Sequence, residues 1–236
     1  MAALLAFDTA TERLHIGVAV NGQVWTHESE GGARASSSLI PNLRQLLRDA
    51  CTGLHDLDAI AFGRGPGAFT GLRTACSAAQ GLGFGANKPV LPVDTLMAVA
   101  EDARHRAGAS DVWVAMDARM DEVYAAHYRW ADDAWQTALA PALYTLDTLN
   151  AYWREHPPSS VAGTALAAFG PRLNTGAASI MIEARPAARA LLACARLGWA
   201  QGAGVDAAMA LPLYLRDRVA LTTAEREARK AERPAR

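Results

Sequence analysis

Three short stretches carry residue types that could do chemistry. Asp8-Thr9-Ala10-Thr11 puts a carboxylate at the mouth of a tight turn, where successive backbone N–H dipoles can converge on an anion. Such turns favour glycine so that backbone and phosphate can approach closely, and this one has none. The plainer reading is an Asp that closes a hairpin. Asp117-Ala118-Arg119-Met120-Asp121 is a second turn of this kind, also without glycine. Its two carboxylates would repel a polyphosphate unless a metal intervened. The third stretch, Gly63-Arg64-Gly65-Pro66-Gly67-Ala68-Phe69-Thr70-Gly71, follows an apolar run and opens a helical one, so it could present helix N–H groups to an anion. It lacks both the Gly-Lys-Ser/Thr of a P-loop and the Gly-x-Gly-x-x-Gly spacing of a dinucleotide site. Its expected role is a rigid turn whose glycines allow close packing, with Arg64, Phe69 and Arg73 as anchors for a partner.

Other chemistries find less support. The histidines at 15, 27, 55, 105, 127 and 156 include no i, i+4 pair and no His-Glu-x-x-His, so no metal site is expected. His15, on a strand, and His55, in a loop, read as surface or satisfied side chains. No Gly-x-Ser-x-Gly elbow is present, and Ser36-Ser37-Ser38 reads as a helix cap. Cys51, Cys76 and Cys194 are odd in number and set in apolar patterns, which predicts reduced, buried thiols in a cytosolic protein. The residues offer no catalytic constellation and call for no intrinsic cofactor.

The elements that must position these stretches are legible from periodicity. Residues 3–8 are a short apolar strand and 13–20 alternate with strand period; Asn21-Gly22 then supplies a type I′ turn into a partner strand, 23–28. Leu39, Leu43, Leu46, Leu47 and Ala50 recur at helical spacing, with Pro41 in the first turn or so. A strand at 57–62, a helix over about 71–86, a strand at 89–93 and a helix at 95–106 complete a β-β-β-α-β-α-β-α half. The pattern restarts with strands at 112–116 and 122–130, a short strand near Leu143, a helix at 146–154, a strand end at 161–163 and a helix near 165–169. A helix at 187–201 has Pro186 as its first residue and Gly202 just past its end. Two mixed α/β units, each opening with a hairpin, predict a duplicated architecture. The expected division is a lobe at 1–108, a smaller and degenerate lobe at 109–186, the 187–202 helix packing back on the first lobe, and a loose or disordered tail at 217–236.

Length and composition bound these readings. With 236 residues, net charge -1, 51% hydrophobic and 20% charged residues, the chain can build one large core or two small ones. It is not a strongly basic nucleic-acid binder. No stretch approaches the roughly 20 apolar residues of a membrane helix. The start, Met1 to Asp8, has no basic region before its apolar run and is expected not to be a signal peptide. The segment 216–236 holds seven Arg or Lys against four acids, a weak basic patch that could touch nucleic acid and reads more plainly as solvated surface. The 71–84 helix is almost uncharged and small-sided on more than one face. A flat sheet buries one such face, so the other calls for a second helix pair in a dimer.

Four blocks resemble the bacterial TsaB (YeaZ) family: Ala6-Phe7-Asp8-Thr9-Ala10-Thr11, Gly63 to Arg73, Asp117 to Tyr124, and Pro212-Leu213-Tyr214-Leu215-Arg216. The resemblance covers almost the whole chain, in order. It implies an actin-like (ASKHA, RNase H-like) two-lobed α/β fold. In such folds an Asp at position 8 would hold magnesium through water, so Asp8, Thr9 and Thr11 become a weak, degenerate nucleotide site. The resemblance further implies a non-catalytic subunit, in the cytoplasm, of the machinery that makes threonylcarbamoyladenosine beside the tRNA anticodon. The partner would be TsaD, carrying metal and chemistry, with the ATPase TsaE joining. ATP or ADP would sit on those partners, and a homodimer would form when the chain is alone. Pairing would use the two first-lobe helices, through Leu39, Leu43, Leu46 and Leu47 on one and Leu72, Ala75, Cys76 and Ala79 on the other. An independent actin-like ATPase or a peptidase is the alternative. Two departures stand out: Arg34-Ala35-Ser36-Ser37-Ser38 replaces a His-Ser or His-Thr pair, and Asp121 replaces a frequent Gly.

Overall fold

The computed structural model describes residues 2–216; the expected tail at 217–236, and any tRNA contact through it, lies outside them. The first half is built on β1 (Leu4–Asp8), β2 (Arg13–Val20), β3 (Gln23–Glu30), β4 (Ala59–Gly65) and β5 (Val90–Asp94). These form one sheet in the order β3-β2-β1-β4-β5, an antiparallel meander followed by two parallel additions. The β2–β3 turn has Asn21 at φ 51° and Gly22 at φ 79°, the two positive values a type I′ turn requires.

The second half comprises β6 (Asp111–Asp117), β7 (Glu122–Ala131), β8 (Ala134–Thr145), β9 (Ser160–Ala162) and β10 (Ser179–Met181). Read from its hairpin edge, the sheet runs β8-β7-β6-β9-β10, the same path as the first. Two strands depart from the sequence reading. β8 runs 12 residues through Pro141, where only a short strand near Leu143 was expected. It is an edge strand, where a missing N–H costs no ladder bond. β10, at three residues, is too short to show a period.

Strict alternation splits each sheet into two cores. On the first sheet, Leu5, Phe7, Ile16, Ile60 and Phe62 face α1 (Ala35–Asp49) and α2 (Phe69–Ala86). Leu4, Ala6, Ala61 and Leu91 point the other way, onto α6 (Ala188–Ala200). On the second sheet, Val112, Val114, Met116 and Tyr128 meet α3 (Thr95–Ala107). Trp113, Ala115 and Val161 meet α4 (Leu146–Glu155) and α5 (Ala165–Phe169). Helix α3 follows β5 yet also touches α6, so it lies between the layers of both halves. Even its acids are buried: Glu101 holds Arg104 through two bonds of 2.9 Å and accepts from the Trp135 indole, while Asp102 takes Arg106 and the Arg185 N–H. Full pairing is what makes buried carboxylates tolerable.

Several local expectations need correction. Ser36–Ser38 do not cap α1; they lie inside it, and the hydroxyls of Ser37 and Ser38 donate back to the Arg34 carbonyl. Pro41 falls in the second turn rather than the first. Pro186 precedes the N-cap Ala187 instead of opening α6, whereas Gly202, at φ 71°, does follow its C-cap. Cys51 is exposed just past α1; Cys76 and Cys194 are buried. His15 is neither at the surface nor satisfied: it is 2% exposed and its Nε2 has no partner among the described residues. Burial lowers its pKa.

Candidate functional site

The turn after β1 is closed from behind. Asp8 and Thr9 are fully buried. Asp8 accepts from the Ala10 N–H at 2.6 Å and from the Thr95 hydroxyl at 2.6 Å; Thr95 in turn accepts from the Gly65 N–H at 3.2 Å. The Thr9 hydroxyl donates to the Gly71 carbonyl, and the Ala10 carbonyl accepts from Ala68 N–H. The glycine-rich loop thus packs directly on the turn. A Cβ at Gly63 would stand 1.7 Å from Asp8 Oδ2, and one at Gly71 would stand 1.9 Å from the Thr9 carbonyl oxygen. Gly71 lets two backbones touch and Gly63 makes room for the Asp8 side chain, as the close-packing reading of this loop expected. Burial pushes the Asp8 carboxyl up to about 6, against the opposing pull of Thr95 and Ala10. Asp8 and Thr9 therefore do not face a ligand as a nucleotide site would need; Thr11 alone of that set lines open space.

The turn after β6 is arranged differently. Arg119, Met120 and Asp121 have φ of 64°, 58° and 61°, three successive left-handed residues without a glycine. Each costs about 1 kcal/mol or more. Arg119 reaches the first turn, pairing with Glu12 at 2.7 Å, and also contacts Asp117. The backbone carbonyl of Ala118 accepts from Arg216 at 2.8 Å, and the same guanidinium pairs with Glu122 at 2.7 Å. Between the two turns lies a cleft of about 730 Å³, lined by Ala68, Leu72, Met116, Tyr124, Leu213 and Tyr214 among others. Arg13, Arg119 and Arg216 at its edge are each held by an acid. Among the described residues no group of three or more His, Cys, Asp or Glu side chains is placed to hold a metal.

The helix pair inverts the residue-level expectation. Leu39, Leu43, Leu46, Leu47, Leu72, Ala75, Cys76 and Ala79 are all buried inside this one subunit. They are core residues, not contacts; each fully buried leucine contributes about 2 kcal/mol of apolar transfer. A charge at Leu43 or Ala75 would unfold the chain rather than probe a surface. Arg64, Phe69 and Arg73 are also engaged internally. Arg64 pairs with Asp94 at 2.5 Å, and Arg73 stacks 3.8 Å above the Phe69 ring. The outward faces keep Arg73 from the expected set and otherwise consist of other residues: Ile40, Arg44 and Arg48 on α1, and Thr70, Ser77, Gly81, Phe84 and Gly85 on α2. Phe84 is 82% exposed. It occurs one residue from a buried glycine, and a helical wheel of α2 would have singled it out as the large apolar side chain opposite the buried stripe. Thr95 and Arg216 were also missed, for their partners are 87 and 98 residues away in sequence and no spacing links them.

The family model described as TsaD, tRNA N6-adenosine threonylcarbamoyltransferase, matches residues 19–223. The tRNA threonylcarbamoyladenosine biosynthesis protein TsaB of Escherichia coli (strain K12) is 34% identical over 228 residues, covering 92% of this chain and 96% of its own. A crystal structure from Pseudomonas aeruginosa, of an uncharacterized protein with similarity to peptidase YEAZ, superposes with a TM-score of 0.84 at 37% identity, covering 92% of this chain and 100% of that one. YeaZ from Pseudomonas aeruginosa gives a TM-score of 0.80 at 35% identity, covering 91% and 100%. The two mixed sheets with their flanking helices are the two-lobed, actin-like α/β fold. By sequence over nearly its whole length and by fold, this chain belongs to the TsaB (YeaZ) family.

Proposed function

We propose that this chain acts in tRNA threonylcarbamoyladenosine biosynthesis as a non-catalytic scaffold subunit, in the cytoplasm. It pairs with a TsaD homologue through the outward faces of α1 and α2 and helps recruit a TsaE homologue; alone, the same faces form a homodimer. ATP or ADP and metal belong to those partners, and tRNA is met through the complex.

One contrast carries the reading. In the turn that would meet a nucleotide Asp8 and Thr9 are buried behind the cleft, while α2 turns small residues and the exposed ring of Phe84 outward. A large apolar side chain on a smooth helix face is the composition of a docking surface. The family membership supplies the pathway, through the role named for the Escherichia coli relative.

Reconstitution tests the proposal. Purified TsaD and TsaE homologues should transfer threonylcarbamoyl to tRNA only when this chain is present. Phe84→Asp and Ser77→Arg, both on the exposed face, should cut that transfer at least tenfold and abolish co-elution with TsaD, with thermal midpoints unchanged. Full activity of both variants would overturn the interface. ATP turnover by the isolated chain would instead favour the independent-enzyme alternative.

A further inference from the structure

Pro212–Arg216 has no regular secondary structure, yet it is tied to different lobes at its two ends. At one end the Leu213 N–H donates to the Arg64 carbonyl at 2.7 Å. The Tyr214 ring lies 5.2 Å from Phe69, centroid to centroid, and its hydroxyl accepts from Arg73 at 3.2 Å. Phe69 and Arg73 sit in the first turns of α2. At the other end Arg216 reaches the second lobe's hairpin turn, binding the Ala118 carbonyl and the Glu122 carboxylate. Its side chain is only 17% exposed, so these charge-assisted bonds are partly shielded from water.

The turn that Arg216 grips needs an outside hold. Its own backbone closes with two bonds, Ala118 N–H to the Glu122 carbonyl and Glu122 N–H to the Arg119 carbonyl. Against these stand three consecutive left-handed, non-glycine residues. Two other ties reach the turn, Arg119 to Glu12 and Arg172 to Asp121, but both pairs are mostly exposed and hold little. The better-shielded grip is the one from Arg216.

We propose that Leu213–Arg216 is a latch. It holds the 118–122 turn in its left-handed conformation, sets the opening of the cleft, and couples the first turns of α2 to the second lobe. A displacement at Phe69 or Arg73 is transmitted along four residues to the turn, and release of Arg216 lets the turn relax and the cleft widen. The latch belongs to the isolated chain and stands independently of the proposed pairing.

Amide exchange on the full-length chain, read by mass spectrometry over peptides spanning 117–123, tests it. Arg216→Ala should raise exchange there at least tenfold and leave the middle of β1 and β4 unchanged. Arg216→Lys, which keeps the charge but loses the fork, should give an intermediate rise. The discriminating variant is Tyr214→Ala, whose contacts are on α2 and whose 45% exposure makes it safe for folding. It should raise exchange at 117–123 at least threefold. In an Asp121→Gly background, where one left-handed residue becomes unstrained, the effect of Arg216→Ala should fall to less than threefold. No change at the turn in Tyr214→Ala, or an undiminished Arg216→Ala effect in the Asp121→Gly background, would overturn the latch.

Discussion

β1 and β6 end alike, each on an aspartate followed by a four-residue turn into an antiparallel partner. Around the first, the chain brings a glycine-rich loop so close that a methyl group at Gly63 has no room, and Asp8 disappears from solvent. Around the second, Asp117 stays part-exposed, the turn bends through three strained residues, and a side chain from the far end of the described chain supports it. One ancestral-looking path thus reaches two solutions. Backbone approach makes a turn rigid by exclusion; a side-chain grip makes it rigid only while the grip lasts. The first turn is held by packing and the second by a side chain.

The sharpest way to break this contrast is Gly63→Ala. The added carbon would meet a carboxylate pinned on both oxygens, so a loss of at least about 3 kcal/mol is expected in urea unfolding. A loss below about 1 kcal/mol would mean the first turn can yield. Next comes acidity. The unfolded chain releases the Asp8 proton near 3.8, whereas the native state keeps it until about 6. Stability should therefore decline as pH rises between those values, by about 3 kcal/mol for this group, with no further change above. Asp8→Asn should flatten that decline, measured as unfolding midpoints from pH 4 to 7. A smaller effect of opposite sign belongs to the second turn. Asp121→Gly removes the strain of one left-handed residue and should stabilise the chain by about 1 kcal/mol, less the entropy that glycine adds to the unfolded state. Destabilisation there would show that the exposed pair with Arg172 outweighs the strain.

Much of the frame could be read from residue patterns. The alternation at 13–20 and the Asn-Gly turn located β2 and β3 because local sterics decide both. The leucine ladder of α1 was visible too, but its direction was misjudged. An apolar stripe buries itself in its own sheet before it is available to a partner, and Leu43 is fully covered. What remained outside on α2 was the less obvious set, Thr70, Arg73, Ser77, Gly81 and Gly85 with one phenylalanine. The burial of Asp8 was hidden because the glycines that cause it arrive some 55 residues later, after a whole helix. Edge strand β8 was obscured by Pro141, which a central strand could not have carried.

Helix α3 has a consequence for any attempt to divide the molecule. Leu96, Val99, Ala100 and Ala103 belong to the stretch that follows the first sheet, yet they roof Val112, Val114 and Tyr128 of the second. Scission near residue 108 would strip one fragment of its lid and leave the other with greasy residues and nothing to cover. The lobes share a keystone, so heat should melt them together in a single cooperative step.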